Sequence, residues 1–286
     1  MKRLIVNADD FGLTSGVNRA ISELNRHGTL TSATLMAVAP ATNEALTIAQ
    51  RTPTLGVGCH VVLVDGEPIL PPAQLPTLVD QSTGRFRATL GKFVKDLFLG
   101  SIKPEEIEKE AAAQLAKLRS LGVALTHLDT HKHTHMFPGV LAPLLRAATS
   151  QNIRAIRNPY EPAWSLNATP GAPYVRRTQV HLLNRFRPSF FRLVTDAGLV
   201  TTDGAVGVLA TGTLDQATLT SLLRALPEGA WELVTHPGYN DTELAHARTR
   251  LLNSREVERS ALQTLAANPE IKLIHFGQLH PEPSST

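Results

Sequence analysis

Cysteine is almost absent: Cys59 stands alone in 286 residues, which excludes an internal disulfide and fits a reducing compartment. Aromatic residues are scarce at 5%. Long apolar runs are missing as well, since no stretch approaches the roughly 20 residues of a membrane span. After Met1-Lys2-Arg3 the apolar residues Leu4, Ile5 and Val6 give way at once to Asn7 and two acids, too soon for a secretory signal. A cytoplasmic protein is expected. Neither sign of charge runs on: the net charge is +3 and no cluster of Lys and Arg resembles a nucleic-acid arm, so no nucleic-acid partner is expected. What remains, 42% hydrophobic and 19% charged residues, is the composition of a packed globular chain. No internal repeat or linker divides it, which predicts a single domain over 1–286.

The stretch Leu4-Ile5-Val6-Asn7-Ala8-Asp9-Asp10-Phe11-Gly12 has the form of a buried strand whose C-terminal end opens into a site. Two adjacent carboxylates repel when both are ionised, so the pair is most comfortable when a cation holds one and the other moves protons. A helix cap or turn would use the same residues. Distant partners decide between these. His60 lies inside the apolar run Val57-Gly58-Cys59-His60-Val61-Val62-Leu63, and Thr126-His127-Leu128-Asp129-Thr130-His131-Lys132-His133-Thr134-His135 crowds four histidines and an acid together. Asp with two His is a sound ligand set for a divalent ion that keeps positions open for water and substrate. If 57–63 is a strand, Cys59 faces away from His60, into the core.

Strand-like and helix-like patterns alternate along the chain. Strands are expected at 4–9, 33–38, 55–63, 125–129, 153–157, 206–209, 232–235 and 271–276. Helices are expected at 15–27, 43–51, 90–99, 104–121, 138–150, 215–226 and 242–267. Residues 65–89, rich in Pro and Gly, form a long loop of the kind that is often functional. Within the less regular stretch 160–195, Arg176, Arg177, Arg185, Arg187 and Arg192 alternate with Phe186, Phe190, Phe191 and other apolar residues. This is either a solvated helical face with a core side or an amphipathic surface for anionic lipid or a greasy substrate. Strands separated by helices imply a parallel sheet with right-handed crossovers. Asp9, Asp10, His131 and His236 all fall at strand ends scattered along the chain, and closing the sheet gathers such ends at one mouth. The fold expected is therefore α/β, a TIM-like (β/α) barrel of seven or eight mostly parallel strands.

Four segments carry a family resemblance: Asn-Ala-Asp-Asp-Phe-Gly at 7–12, Gly-x-His at 58–60, Thr-His-Leu-Asp-Thr-His-x-His-x-His at 126–135 and His-Pro-Gly at 236–238. Together they resemble the YdjC/ChbG carbohydrate deacetylases, nearly end to end. The runs Gly-Val-Gly-Cys-His-Val-Val-Leu-Val-Asp-Gly and Asp-Thr-His-Lys-His-Thr-His-Met-Phe-Pro, with Ala-Ile-Arg-Asn-Pro at 155–159, are most similar to the hopanoid-associated, HpnK-type branch. The resemblance implies a distorted (β/α) barrel, a bound divalent cation and removal of an acetyl group from an N-acetylated amino sugar. For the branch it implies an N-acetylglucosaminyl group on a bacteriohopanepolyol lipid.

Residue by residue, the resemblance makes Asp10, His60 and His131 the metal ligands, Asp9 the base and His236 the acid. Spacing alone leaves open which of His131, His133 and His135 binds metal, since alternate residues of an extended segment share a face. Asp129 is placed to orient a ligand histidine through its second ring nitrogen, and His133, His135 and Arg157 are candidates to stand behind the ligands or face the substrate. Zinc, magnesium and manganese all suit such a set. A Ser-His-Asp hydrolase is disfavoured because no Gly-x-Ser-x-Gly elbow is present. A chito-oligosaccharide deacetylase, another metal hydrolase such as a phosphoesterase, and a sugar-binding protein without catalysis are the competing functions. The partners expected are a lipid-linked amino sugar and a peripheral contact of 176–192 with the inner membrane face. A homo-oligomer is left open.

Overall fold

The computed structural model describes residues 1–169, 171–247, 249–265 and 268–279. Its strands are β1 (Lys2–Phe11), β2 (Ser32–Leu35), β3 (Gly56–Val61), β4 (Val79–Asp80), β5 (Arg85–Phe86), β6 (Leu128–Thr130), β7 (Gly204–Val206), β8 (Gly229–Thr235) and β9 (Ile271–Leu273). Its helices are α1 (Ser15–Arg26), α2 (Thr42–Arg51), α3 (Leu90–Phe98), α4 (Pro104–Ser120), α5 (Pro138–Ser150), α6 (Ala163–Ala168), α7 (Tyr174–Leu183), α8 (Arg187–Asp196), α9 (Gln216–Ala225), α10 (Thr242–His246) and α11 (Asn253–Gln263).

β1 is the centre of a curled, parallel sheet ordered β6-β3-β2-β1-β8-β7. One edge of β1 pairs with β8 along Lys2–Ala8; the other is shared, β9 taking Lys2–Leu4 and β2 taking the half from Asn7 onward. Leu4, Ile5, Val6 and Ala8 are all buried, as befits a strand covered on both faces. α1 buries Val17, Ala20, Ile21 and Leu24 at helical spacing. Its first turn is capped by the Thr14 hydroxyl, which accepts from the Val17 amide at 3.2 Å. The loop 65–89 holds the β4–β5 ribbon. Carboxylates of α4 tie it down: Glu106 accepts the Thr77 and Leu78 amides and Glu110 those of Ile69 and Leu70.

Four expectations need correction. First, the sheet is a curled half-barrel of seven parallel strands, and the ladders do not close into a complete barrel. Among the described residues only the isolated bridges Leu128↔Ile156 and Ala155↔Val200 occur between β6 and β7, so 153–157 is not a strand. Asn158-Pro159 cuts the segment short, because proline cannot donate to a ladder. Second, the stretch 160–195 is regular: it folds as α6, α7 and α8. Third, the helix expected over 242–267 is two helices, α10 and α11. Residues 247, 249, 250 and 251 leave helical geometry to line the cleft described below, tertiary context overriding propensity; its end at 266–267 lies outside the described residues. Fourth, Phe190 belongs to the core, stacked edge-on with Tyr160 and Phe191. Among the described residues no helix is long and apolar enough to cross a membrane.

Candidate active site

Neighbouring side chains on a strand point to opposite faces, which would part Asp9 from Asp10. The end of β1 avoids this with a bulge. Pairing with β2 runs from Ala8↔Ala33 to Phe11↔Leu35, three residues against two, and Asp10 takes φ 63°. Aspartate tolerates this left-handed region better than most residues with a Cβ. Both carboxylates thereby line one cleft of about 910 Å³ with His60, His131 and His236.

His60 reaches the cleft from β3 and His131 from a 3₁₀ turn at His131–Met136, kinked by left-handed Lys132 and His133. The His60 Nε2 atom lies 3.3 Å from His131 Nδ1 and 3.6 Å from Asp10 Oδ1, and His131 Nδ1 lies 3.4 Å from the same oxygen. Four ligands held at about 2.1 Å in a tetrahedron stand about 3.4 Å apart, so the three atoms fit a metal ion with one position free. Two features pre-set them. Asp129 Oδ1 sits 2.7 Å from His60 Nδ1, which directs the Nε2 lone pair into the trio. Arg255 holds the other oxygen of Asp10 at 2.5 Å. Burial alone would lower the pKa of His60, but Asp129, with Asp9 and Asp10 behind it, pushes it up to about 9. The carboxylates around His60 favour its charged form.

Beneath it lies a buried charge network. Arg157, fully buried, donates from Nη1 and Nη2 to the two oxygens of Asp9 at 2.9 and 2.6 Å, from Nε to Glu232 at 2.8 Å, and pairs with Asp129. Burial would raise the Asp9 carboxyl, yet Arg157 outweighs it and holds Asp9 far below the usual carboxylate range. Burial likewise pushes Glu232 up to about 7 against the pull of Arg157. Asp10 is held low, its burial outweighed by Arg255 and His131. When ionised, Asp9, Asp10, Asp129 and Glu232 carry two more charges than Arg157 and Arg255 balance, a deficit that a protonated His60 reduces and that a bound cation would also offset. His236, just past the end of β8, stands with Nε2 3.7 Å from Asp9 Oδ2.

Of the other predicted residues, Asp129 and Arg157 lie under the site rather than in the cleft. His133 forms part of its wall. His135 turns away, its Nδ1 against the Thr130 hydroxyl at 2.7 Å, and burial holds its pKa well below normal. Sequence reasoning missed Thr34, whose hydroxyl lies 3.2 Å from both His60 Nδ1 and Asp129 Oδ2. It also missed Glu232, Arg255 and Glu258. A carboxylate between Trp231 and Leu233 in an apolar strand was a usable signal for Glu232; nothing marked the two residues of α11. A side pocket of about 220 Å³ opens beside the cleft and shares Leu90, Lys132, His133 and Val208 with it. Met136, Tyr160, Val180, Leu183 and Leu209 make its lining mostly apolar, and Glu161 and Arg176 add charge.

Comparison with known proteins shows the family of the chain. The family described as "YdjC-like protein" matches residues 3–269. A carbohydrate deacetylase of Thermoanaerobacter pseudethanolicus is 32% identical over 92% of this chain and 91% of its own length. One from Brevibacillus brevis is also 32% identical, over 97% and 99%. Among solved structures, an Enterococcus faecalis protein provisionally named for cellobiose-phosphate cleavage superposes with a TM-score of 0.75 at 25% identity, covering 96% of this chain and 97% of that one.

Proposed function

The chain belongs to the YdjC-like family, and we propose that it is a metal-dependent hydrolase that removes the acetyl group from an N-acetylated amino sugar carried on a hopanoid lipid. The observation that carries the chemistry is the convergence of Asp10, His60 and His131 at 3.3–3.6 Å beside the Asp9 carboxylate and the His236 imidazole. Those three residues would hold the ion, which when bound would polarise the acetyl carbonyl and acidify water. Asp9, immobilised by Arg157, orients the attacking water and takes its proton as attack proceeds. His236, with Nε2 3.7 Å from Asp9 Oδ2, gives a proton to the sugar nitrogen as the C–N bond breaks. Oxygen is added to the acetyl carbon and hydrogen to nitrogen, leaving acetate and a free amine.

The lipid-linked substrate is favoured by the apolar side pocket. A soluble chito-oligosaccharide offers it only acetyl methyls and sugar C–H faces, whereas the polycyclic tail of a hopanoid offers a continuous apolar surface. The outward face of α7 supports the same reading. Tyr174, Val175 and Leu182 are 83, 65 and 50% exposed in a segment that also carries Arg177 and Arg185, a pattern suited to an anionic membrane surface. The test is mass spectrometry of N-acetylglucosaminyl bacteriohopanetetrol and of a chito-oligosaccharide after incubation with metal-loaded protein. Loss of one acetyl from the first, with the higher kcat/KM, is expected. Preference for the second would move the assignment to oligosaccharides, and release of phosphate from a phosphoester with no acetate would replace it.

A further inference from the structure

α11 contributes two buried charges one turn apart, and they serve different sides of the site. Arg255 holds Asp10. Glu258 accepts the backbone N–H of His236 through Oε2 at 2.6 Å and that of Gly212 through Oε1 at 3.1 Å, so its carboxylate is fixed by two amides from different segments. The same Oε2 lies 3.9 Å from His236 Nδ1, a buried ring nitrogen with no hydrogen-bond partner. The other ring nitrogen, Nε2, faces Asp9 Oδ2 at 3.7 Å.

We propose that Glu258 is the positioning residue of His236: it anchors the backbone of the histidine and accepts a hydrogen bond from Nδ1–H, leaving Nε2 as the atom that delivers the proton. This rests on the assignment of His236 as the acid. During C–N cleavage the Nε2 proton passes to the sugar nitrogen, and the ring keeps its Nδ1 proton on Glu258 and becomes neutral. The proton taken from water by Asp9, 3.7 Å away, restores Nε2. A buried carboxylate behind an imidazole steadies both its orientation and its charged form.

The test compares His236→Ala, Glu258→Gln, Glu258→Asp and the double variant His236→Ala/Glu258→Gln, each as the full metal-loaded chain, on an N-acetylglucosaminyl substrate that the wild type turns over. We expect Glu258→Gln to lower kcat about 10- to 100-fold with KM within about twofold, and bound metal and melting temperature unchanged. Glu258→Asp, which keeps the charge but retracts it, should fall between. The double variant should be no slower than His236→Ala alone, because a residue acting through His236 has nothing left to act on. A wild-type kcat in Glu258→Gln, or a further loss when it is added to His236→Ala, overturns the proposal. If Glu258→Gln does not fold, Glu258→Asp decides it: a reduced kcat supports the role and a wild-type value overturns it. His236→Ala turning over at the wild-type rate would remove the acid assignment itself, an outcome separate from failure at Glu258 alone.

Discussion

The floor of the cleft and its side wall are built by opposite means. In the floor Asp9, Asp10, Asp129, Glu232, Arg157 and Arg255 are all buried, and every one of these charges is held by at least one opposite charge within it. In the wall, α7 has no buried residue and α8 buries only Phe190 and Val194; contact is made by apolar side chains that can repack. Buried ion pairs are costly to break, about 3–5 kcal/mol when one partner is removed, so the floor tolerates little change. The wall can vary its lining at small cost to stability. Geometry is over-determined in the floor by paired charges and set more loosely in the wall by apolar contacts.

The largest effect should come from the floor. Replacing Asp10, His60 or His131 with Ala should cost at least about a thousandfold in kcat/KM together with bound metal, checked by elemental analysis and acetate release. Asp9→Asn and His236→Ala should lose comparable activity and keep the metal. Metal lost from Asp9→Asn but retained in Asp10→Ala would exchange the roles of the two acids.

A smaller, pH-dependent effect should mark the wall. Glu161 accepts the Leu209 amide at 2.5 Å and the Ser165 hydroxyl at 3.1 Å, and burial pushes its pKa up to about 7. The folded state then binds a proton that the unfolded chain has already lost. Stability should fall as pH rises from the ordinary carboxyl range toward 7 and level off above it. Glu161→Gln, which keeps an acceptor oxygen, should flatten this decline and gain on the order of 1–3 kcal/mol at pH 8 relative to wild type. Urea unfolding at pH 5 and pH 8 measures it, and an unchanged slope would contradict the burial argument. Replacing Asp9 or Glu232 would not isolate this behaviour, because both also pair with Arg157.

The smallest effect on the protein should come from the outward face of α7. Tyr174→Ser with Leu182→Ser should change stability by no more than about 0.5 kcal/mol and leave turnover of a short soluble N-acetylglucosamine compound intact. It should reduce co-sedimentation with vesicles containing anionic lipid, and activity on the lipid-linked sugar, by several-fold. Equal activity on both substrates would restrict α7 to a solvated face.

The two regions also differed in how far they could be read in advance. Asp9, Asp10, His60, His131 and His236 are legible because polar groups that interrupt or end apolar runs are rare enough to stand out, and the structure brings all five to one cleft. The wall was left between two readings, a solvated helical face with a core side and an amphipathic surface. Phe190 is in the core, and helical periodicity alone does not say which side of α8 meets Tyr160.

From its sequence alone this protein is an alternating α/β chain with a parallel sheet, an acid pair at the end of its first strand and a histidine-rich turn after a later one. Those features depend on periodicity and composition within a few residues, which the linear chain contains in full. Tertiary structure alone decided the rest. The bulge that turns Asp10 to the side of Asp9 depends on register against β2. The half-closed sheet depends on whether 153–157 finds partners across a gap. The placing of Arg255 and Glu258 beneath Asp10 and His236 joins positions 245 and 22 residues apart. Such pairings follow from how elements pack, and no local pattern in α11 announces which of its charges will be buried.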